Sequence, residues 1–254
     1  MNTIGLAMYT VHQAAEKDLA KTLAELRTMG CEAVEWYGTI PQNLGGELAK
    51  SGLRLAGCHT EWRDLQEDRY AETVRTLKEI GCPVAVVPCL GGKWNIGHTA
   101  EQECLDVWLR YTDWLNALAP RLAADGLRLA YHNHEHEFLL HYGEKTVFDL
   151  LYENLASEII MEFDSGNCIE GGGDPAAVLR RYAEREVMLH LKPFSRTDGF
   201  NVLLGAAKDA NDWPAILSAH PFRELLIESE AANMAEMANA QACIASLRGM
   251  MAKG

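Results

Sequence analysis

Short apolar runs alternate with longer segments of helical period along the whole sequence. Val84-Ala85-Val86-Val87 is a continuous apolar run, which is typical of a strand that is buried on both faces. Between residues 16 and 29, apolar side chains recur three to four positions apart, which predicts a helix with one apolar face that ends at Gly30. The pattern therefore predicts strands and helices in alternation.

Eight strands are predicted, over residues 3–9, 33–37, 53–59, 84–88, from 129 onward, 159–164, 187–191 and 225–228. Eight helices are predicted, over about residues 16–29, 45–51, 67–80, 99–124, 147–154, from Asp174-Pro175 onward, 212–219 and around 234–247. The 99–124 helix rests on a capping-box pattern at Thr99 and Gln102.

Eight strand–helix units of roughly thirty residues each predict an α/β fold, a (β/α)8 TIM barrel that forms a single domain over residues 1–254. An open doubly wound sheet is the alternative. The first strand-to-helix turn lacks the G-x-G-x-x-G pattern of a dinucleotide-binding sheet, which weakens that alternative.

Composition and charge narrow the function classes. The formal net charge is −13, and binding through nucleic-acid phosphates or to an anionic membrane surface needs a basic face instead. The seven cysteines are scattered without a C-x-x-C pair, so we expect reduced thiols of a cytoplasmic protein. We expect neither a signal peptide nor a membrane span, because no apolar stretch approaches about 18 residues.

A histidine-rich stretch, Leu129–Phe138, begins as the fifth predicted strand. Side chains alternate faces along a strand, so His132 and His134 share one face while Tyr131 and Asn133 point the other way. A solvated polar loop is one explanation. Because two imidazoles and nearby carboxylates directly follow a buried strand, we interpret the stretch as functional or metal-binding.

Polar side chains also end the other predicted strands. The candidates are His59 after strand three, His132, His134 and Glu137 after strand five, Asp164 after six, His190 after seven and Glu228 after eight. In a TIM barrel these ends line one mouth, where the catalytic groups lie. Carboxylates with imidazole predict a site for Mn²⁺, with Mg²⁺, Co²⁺ or Zn²⁺ as alternatives.

The chain resembles the xylose-isomerase-like TIM barrels, known as the sugar phosphate isomerase/epimerase family. The segments that carry the resemblance are Gly5–Val11, Tyr131–His134, Phe163–Asn167, His190–Lys192 and Ile227–Glu228. The resemblance implies one divalent ion held by Glu, Asp, His and Glu from strands five to eight.

The last three implied ligands correspond to Asp164, His190 and Glu228, whereas Ala130 stands where the epimerases carry the strand-five glutamate. We assign the fourth ligand to Glu137, with His134 as the competing candidate. Glu137 and Glu228 would then also transfer protons on opposite faces of the substrate. If Glu137 reaches the metal only from a loop, this two-base arrangement is in doubt.

The remaining candidate residues face the substrate in this interpretation. His132 and His134 are left free of the metal to act in catalysis, and His59, Lys192 and Arg196 are expected to bind the substrate. Few cations line the predicted loops, so we expect that a phosphate group is not obligatory on the substrate.

The leading functional hypothesis is a divalent-metal-dependent isomerase or epimerase that acts on a sugar, keto-sugar or cyclitol by proton transfer through an enediolate. The alternative is a keto-sugar or inosose dehydratase, in which His132 or His134 protonates the leaving group. A phosphodiester-cleaving endonuclease and a non-catalytic sugar-binding barrel are less favoured. The sequence does not decide whether the protein forms a homo-oligomer.

Overall fold

The computed structural model describes residues 3–91 and 104–252. The strands in this part of the chain are β1 (Ile4–Ala7), β2 (Ala33–Trp36), β3 (Arg54–His59), β4 (Val84–Val87), β5 (Arg128–His132), β6 (His141–Tyr142), β7 (Lys145–Thr146), β8 (Ile160–Asp164), β9 (Val187–Leu191) and β10 (Glu224–Ile227). Strands β6 and β7 form a small antiparallel hairpin outside the barrel.

The other eight described strands form a closed parallel barrel in the order β1-β10-β9-β8-β5-β4-β3-β2. The ring closes at β1, where Ile4 pairs with Leu225 of β10 and Gly5 pairs with Ala33 of β2. Each barrel strand therefore has a neighbour on both sides, and no edge is left unpaired. The TIM-barrel prediction is confirmed, and closure excludes an open doubly wound sheet.

The α-helices in the described residues are α1 (His12–Lys17), α2 (Leu19–Met29), α3 (Leu44–Ser51), α4 (Tyr70–Glu79), α5 (Leu105–Ala124), α6 (His136–Leu139), α7 (Val147–Asn154), α8 (Ser165–Glu170), α9 (Pro175–Arg181), α10 (Trp213–Ala219) and α11 (Glu236–Met251). Two short 3-10 helices cover Met8–Val11 and Trp62–Leu65. None of the helices described is long and apolar enough to cross a membrane.

Side-chain caps explain where several helices begin. The prediction of one helix over residues 16–29 is wrong at its start, because Asp18 is extended and its carboxylate accepts a hydrogen bond from the Lys21 amide. Asp18 thus separates α1 from α2. Asp174 caps α9 ahead of Pro175, as predicted. The capping box at Thr99 and Gln102 lies outside the described residues.

Alternation along the strands divides the apolar residues into two cores. One side of the strands packs against the helices, where Tyr131, Phe148 and Phe163 are fully buried. The other side fills the barrel with small and branched side chains, namely Ala33, Ala56, Val84, Val86, Ala130, Ile160, Met188 and Leu226. The barrel is therefore closed at its centre by a packed layer, and a site can form only at an end.

Candidate metal centre

The mouth of the barrel, at the C-terminal ends of the strands, is built by the two-residue period of the strands. Glu35, His132, Glu162, His190 and Glu228 each stand two positions after a residue of the inner apolar layer. Because side chains two apart on a strand share a face, these five groups point into the barrel mouth. The alternation that places apolar side chains in the barrel core thus also places carboxylates and imidazoles together at the barrel mouth.

Three of these side chains, together with Asp164 at the end of β8, form what we call the outer group: His132, Asp164, His190 and Glu228. All four are buried, and each offers one ligand atom within 4.8 Å of the other three. Nδ1 of His190 lies 2.8 Å from Oε2 of Glu228, and Nε2 of His132 lies 3.9 Å from Oδ2 of Asp164. Two imidazoles and two carboxylates at this spacing can hold a divalent cation.

Deeper in the barrel lies what we call the inner group: His59, His132, Glu162 and His190, with Glu35 against it. Oε2 of Glu162 is 3.0 Å from Nε2 of His59 and 3.0 Å from Nδ1 of His132. Oε2 of Glu35 is 2.8 Å from Nε2 of His190 and 3.2 Å from Nε2 of His59. The two groups share His132 and His190, and each group faces a different nitrogen of those rings.

A lysine balances part of this negative charge. Nζ of Lys192 lies 2.7 Å from Oε1 of Glu228 and 2.7 Å from Oε1 of Glu230. The same Nζ stands 4.5 Å from the centre of the Phe200 ring. Burial lowers the pKa of Lys192, but Glu228 and Asp164 more than offset this and leave it raised. Lys192 is thus a fixed positive charge at the rim.

Burial perturbs the acids of both groups. It raises the pKa of Asp164 to about 7, and together with the charge of Glu35 it raises the pKa of Glu162 to about 8. Burial also raises the pKa of Glu228, but Lys192 and His190 reverse the shift and leave it lowered. A bound cation would favour the charged form of these carboxylates.

Burial acts on the imidazoles in the opposite sense. It lowers the pKa of His132 well below its usual value, with a further contribution from the charge of His190. At His190 burial again lowers the pKa, but Glu162 and Glu35 outweigh it and leave the pKa well raised. The charges of Glu162 and Glu35 thus favour the protonated form of His190.

Buried polar atoms without a partner support a fit to a cation. Oδ2 of Asp164 and Nε2 of His190 are buried and make no hydrogen bond among the described residues. The close approach of His190 Nε2 to Glu35 is thus short but not aligned for a hydrogen bond. Unsatisfied buried groups are rare because they are costly, so Oδ2 of Asp164, which belongs to the outer group, favours an ion there.

The structure places Glu137 elsewhere. Its Oε1 accepts a hydrogen bond of 2.5 Å from the Tyr131 hydroxyl group, and its Oε2 accepts one of 2.8 Å from the His134 amide. Within the described chain Glu137 belongs to neither group, and His132 completes the outer group instead. The reason is that Glu137 lies on α6, on the helix-facing side of β5 where Tyr131 points.

The other predicted site residues divide between the cavity and the surface. A cavity of about 280 Å³ opens above the outer group, and His59, His132, His134, Lys192 and Glu228 line it. Arg196 is exposed and is not part of this lining. The structure therefore brings His59 and Lys192, but not Arg196, to the predicted substrate side.

The sequence analysis does not include two residues of the site, Glu35 and Glu162, because the direction in which each side chain points from its strand is uncertain from sequence. For Glu162, the two-residue alternation of side chains along a strand is enough to predict the orientation. Glu162 precedes Asp164 by two positions, so if Asp164 faces the mouth, Glu162 must face it too. Glu35 had no such partner on its strand, and a register shift between Val34 and Glu35 further hides its orientation.

Comparison of the sequence with known proteins finds relatives that match part of the chain. No protein-family model matches the chain. The chain is 26% identical over 185 residues to an inosose dehydratase of Geobacillus kaustophilus, which covers 67% of this chain and 59% of that protein. It is 35% identical over 188 residues to the rhizopine catabolism protein MocC of Rhizobium meliloti, covering 68% and 57%. The chain thus matches less than two thirds of the length of these relatives.

Solved structures share the fold over nearly the whole chain. A sugar phosphate isomerase/epimerase from Parabacteroides distasonis superposes with a TM-score of 0.77 at 18% identity, covering 97% of this chain and 93% of that chain. The structure of an L-ribulose 3-epimerase superposes with a TM-score of 0.69 at 17% identity, covering 100% and 95%. At this identity the likeness shows the fold alone.

The fold is therefore that of the xylose isomerase-like TIM barrels: structural neighbours of this chain include a sugar phosphate isomerase/epimerase, an L-ribulose 3-epimerase and a xylose isomerase-like TIM barrel protein from Mycobacterium smegmatis. In sequence, its relatives include inosose dehydratases. At the mouth of the barrel it carries a buried histidine–carboxylate cluster suited to a divalent metal.

Proposed function

We propose that the protein is a metal-dependent dehydratase that removes water from an unphosphorylated keto-cyclitol or keto-sugar. The observation that carries the proposal is the convergence of His132, Asp164, His190 and Glu228 at the barrel mouth, beside a cavity of about 280 Å³ that His132 and Glu228 line. Two imidazoles with two carboxylates suit Mn²⁺, Co²⁺ or Zn²⁺ better than Mg²⁺, and Mn²⁺ is the first ion to test. When bound, the cation would polarise the carbonyl group of the substrate.

Elimination is favoured over epimerisation by what strand β5 supplies. The epimerases implied by the sequence resemblance use two glutamates on opposite faces of the substrate. Here Ala130 belongs to the inner apolar layer, and the carboxylate of Glu137 is engaged by Tyr131 and the His134 amide. Strand β5 therefore contributes an imidazole to the outer group and no carboxylate, and inosose dehydratases are among the relatives in sequence.

In the proposed reaction, Glu228 accepts the proton on the carbon next to the carbonyl group. The hydroxyl group on the following carbon leaves with that or another proton as water, so one C–H and one C–O bond break and one C=C bond forms. Glu228 is held in place by Lys192, whose Nζ donates a 2.7 Å hydrogen bond to its Oε1. His134 lines the same cavity and is placed to hydrogen-bond to the departing hydroxyl group.

The charges around the cavity favour an unphosphorylated substrate. Five glutamates contribute to the lining among the described residues, namely Glu35, Glu135, Glu170, Glu228 and Glu230, against one lysine, Lys192. A phosphate dianion would meet more negative than positive charge. The same balance disfavours a phosphodiester substrate, and with it an endonuclease activity.

The test is incubation of the Mn²⁺-loaded protein with unphosphorylated inososes and keto-sugars in deuterated water, followed by NMR and mass spectrometry. We expect a product that is lighter by one water, and no such product with the Glu228→Gln variant. A product of unchanged mass apart from deuterium, with inverted stereochemistry, would instead identify an epimerase. If the protein converted none of the inososes and none of the keto-sugars, the proposal would be contradicted.

Epimerisation is the second candidate because of where the two proton-transfer groups stand. Glu228 follows β10 and His134 follows β5, and β9 and β8 separate these strands around the ring. The two side chains therefore approach the cavity from different sides, as a two-base epimerisation requires. One neighbour of the same fold is an L-ribulose 3-epimerase. The deuterium experiment above distinguishes the two reactions.

A further inference from the structure

His132 and His190 each show one ring nitrogen to the outer group and the other to a buried carboxylate. Nε2 of His132 faces Asp164 at 3.9 Å, while its Nδ1 forms a 3.0 Å hydrogen bond with Oε2 of Glu162. Nδ1 of His190 faces Glu228 at 2.8 Å, while its Nε2 lies 2.8 Å from Oε2 of Glu35. A carboxylate therefore stands behind each ring: Glu162 is hydrogen-bonded to His132, and Glu35 lies in close contact with Nε2 of His190 without the alignment of a hydrogen bond.

We propose that Glu162 and Glu35 are positioning residues that fix the tautomer and the orientation of His132 and His190, so that both imidazoles present a lone pair to a cation in the outer group. A neutral imidazole carries one N–H, and a carboxylate behind the ring draws that N–H to its own side. The opposite nitrogen is then the one free to bind a metal. The inference rests on the proposed metal site but not on the dehydratase reaction.

Geometry distinguishes the ligand role of the outer group from the supporting role of the inner group. Oε2 of Glu162 already has two ring nitrogens at 3.0 Å, from His59 and His132, and a third at 3.5 Å, from His190. Three imidazoles converging on one oxygen at these distances leave little room for an ion among them. Oε2 of Glu162 is thus satisfied by direct hydrogen bonds from two imidazoles, although Oε1 of Glu162 and Oε1 of Glu35 make none among the described residues.

The outer group is more open. Asp164 uses only Oδ1 to cap α8, through a 2.8 Å hydrogen bond from the Asn167 amide. Its Oδ2 has no hydrogen-bond partner in the described part of the chain and is 3.9 Å from His132. Donor atoms around a divalent ion, each about 2.1 Å from it, lie roughly 3–4 Å apart. The gap between Asp164 and His132 fits that spacing.

His59 completes the support. Its Nε2 lies 3.0 Å from Oε2 of Glu162 and 3.2 Å from Oε2 of Glu35, so one ring links the two carboxylates. Gly57, on the same strand, leaves the space that Glu35 occupies: a Cβ at this position would stand 3.2 Å from Oε1 of Glu35. The three residues therefore form one rigid support beneath both ligand histidines.

The test measures Mn²⁺ binding without substrate, by electron paramagnetic resonance of the free ion and by direct metal analysis. The wild-type chain should bind one ion. Glu162→Gln and Glu35→Gln should each weaken Mn²⁺ binding by about 10–100-fold without changing the count. Asp164→Asn, which removes a proposed ligand while keeping the helix cap, should abolish binding at the same ion concentration. Glu224→Gln, a buried carboxylate at the opposite end of β10, should bind as the wild type does.

The Co²⁺-loaded protein gives a second measure. If Glu162 supports a ligand and is not one, the visible spectrum of bound Co²⁺ should keep its shape in Glu162→Gln. Two ions in the wild type and one in Glu162→Gln would make the inner group a second metal site and overturn the proposal. Unchanged affinity in both glutamine variants would also overturn it. Absence of any metal binding in the wild type would instead overturn the metal centre itself, whereas failure of catalysis alone leaves these results unaffected.

Discussion

The hydroxyl group of Tyr131 donates a 2.5 Å hydrogen bond to Oε1 of Glu137, and both groups are fully buried. Tyr131 lies on the helix-facing side of β5, whereas its neighbour His132 faces the barrel mouth. This contact explains why Glu137, which lies within the histidine-rich stretch, is not beside the outer group in space. It turns Glu137 from a ligand candidate into an anchor for the turn that carries His134.

The first prediction concerns this anchor. Glu137→Gln keeps the shape of the side chain but offers one acceptor oxygen where the carboxylate offers two, so the bond from Tyr131 or from the His134 amide is lost. We expect a loss of about 1–3 kcal/mol in the free energy of unfolding, measured by urea denaturation. Bound Mn²⁺ per chain should stay unchanged, with Asp164→Asn as the matched variant that loses it. Loss of the metal from Glu137→Gln would restore Glu137 as a ligand.

Most of the fold could be predicted from sequence because the barrel depends on a regular signal. Apolar runs such as Val84–Val87, separated by segments of helical period, locate strands and helices without any knowledge of distant contacts. Short elements escaped prediction. Helix α6 has four residues and begins soon after β5, and α8 has six residues and follows directly on β8, so no apolar period can develop over so few positions.

The site was only partly predictable for a different reason. Asp164, His190 and Glu228 could be selected because each ends an apolar strand, and the structure brings these three together. For the fourth member the sequence favours Glu137, with His134 as the competing candidate, whereas the structure has His132 in that place. The outcome depends on which way the loop turns after β5. That direction is set by the Tyr131 hydroxyl group, which is a tertiary contact that spacing along the chain does not encode.

A second prediction follows from the partly unsatisfied outer group. If Mn²⁺ binds the folded chain alone, a concentration of 100 times its Kd adds about 2.7 kcal/mol to the stability. For a chain of this size that corresponds to a rise of roughly 5–10 °C in Tm. Differential scanning calorimetry with and without Mn²⁺ measures the shift. Asp164→Asn should show no rise, and an equal rise in that variant would place the ion elsewhere.

A third prediction concerns the opposite end of the barrel. Arg54 donates hydrogen bonds of 2.7 and 2.6 Å to the two carboxylate oxygens of Glu224, which is only 4% exposed. Arg54→Leu leaves a buried carboxylate without its cation, and we expect a loss of about 2–4 kcal/mol in unfolding free energy. Mn²⁺ affinity, measured in the same preparation, should not change, because the inner apolar layer separates Arg54 and Glu224 from the outer and inner groups. A parallel loss of affinity would show that the two ends are coupled.

A fourth prediction concerns pH and the outer face of α7. Asp149 accepts hydrogen bonds from Arg181 at 2.6 Å, Tyr182 at 2.8 Å and Thr146 at 3.0 Å. Burial raises the pKa of Asp149, but the bonds from Tyr182 and Arg181 outweigh it and leave the pKa lowered. A lowered pKa in the folded state means stability that is present above the unfolded pKa of about 3.9 and is lost as the pH falls through the folded value.

Asp149→Asn should therefore be less stable than the wild type at pH 6–7, and the difference should shrink as the pH falls below about 4. Urea denaturation of both proteins across this range measures it. Asp198, whose pKa is also lowered but which lies at the surface, serves as the control, since Asp198→Asn should change stability little at any pH. If the difference in unfolding free energy between Asp149→Asn and the wild type grew toward low pH, the pKa of Asp149 would be raised and not lowered in the folded state.

The last prediction concerns the loop between β9 and α10, which brings Phe200 to the cavity. Asp209 ties this loop together: its carboxylate accepts hydrogen bonds from the Gly205 amide at 2.9 Å, from Nδ2 of Asn211 at 2.8 Å and from Nε1 of Trp213 at 2.6 Å. Asp209→Ala removes these bonds, so Phe200 loses its fixed position over the substrate while the ligands on the strands stay in place. We expect a KM at least several-fold higher, with Mn²⁺ affinity unchanged and faster proteolysis within residues 193–212. Phe200→Leu, which removes the ring alone, should raise KM without the added proteolysis. An Asp209→Ala variant with wild-type KM and faster proteolysis would show that the loop does not position the substrate.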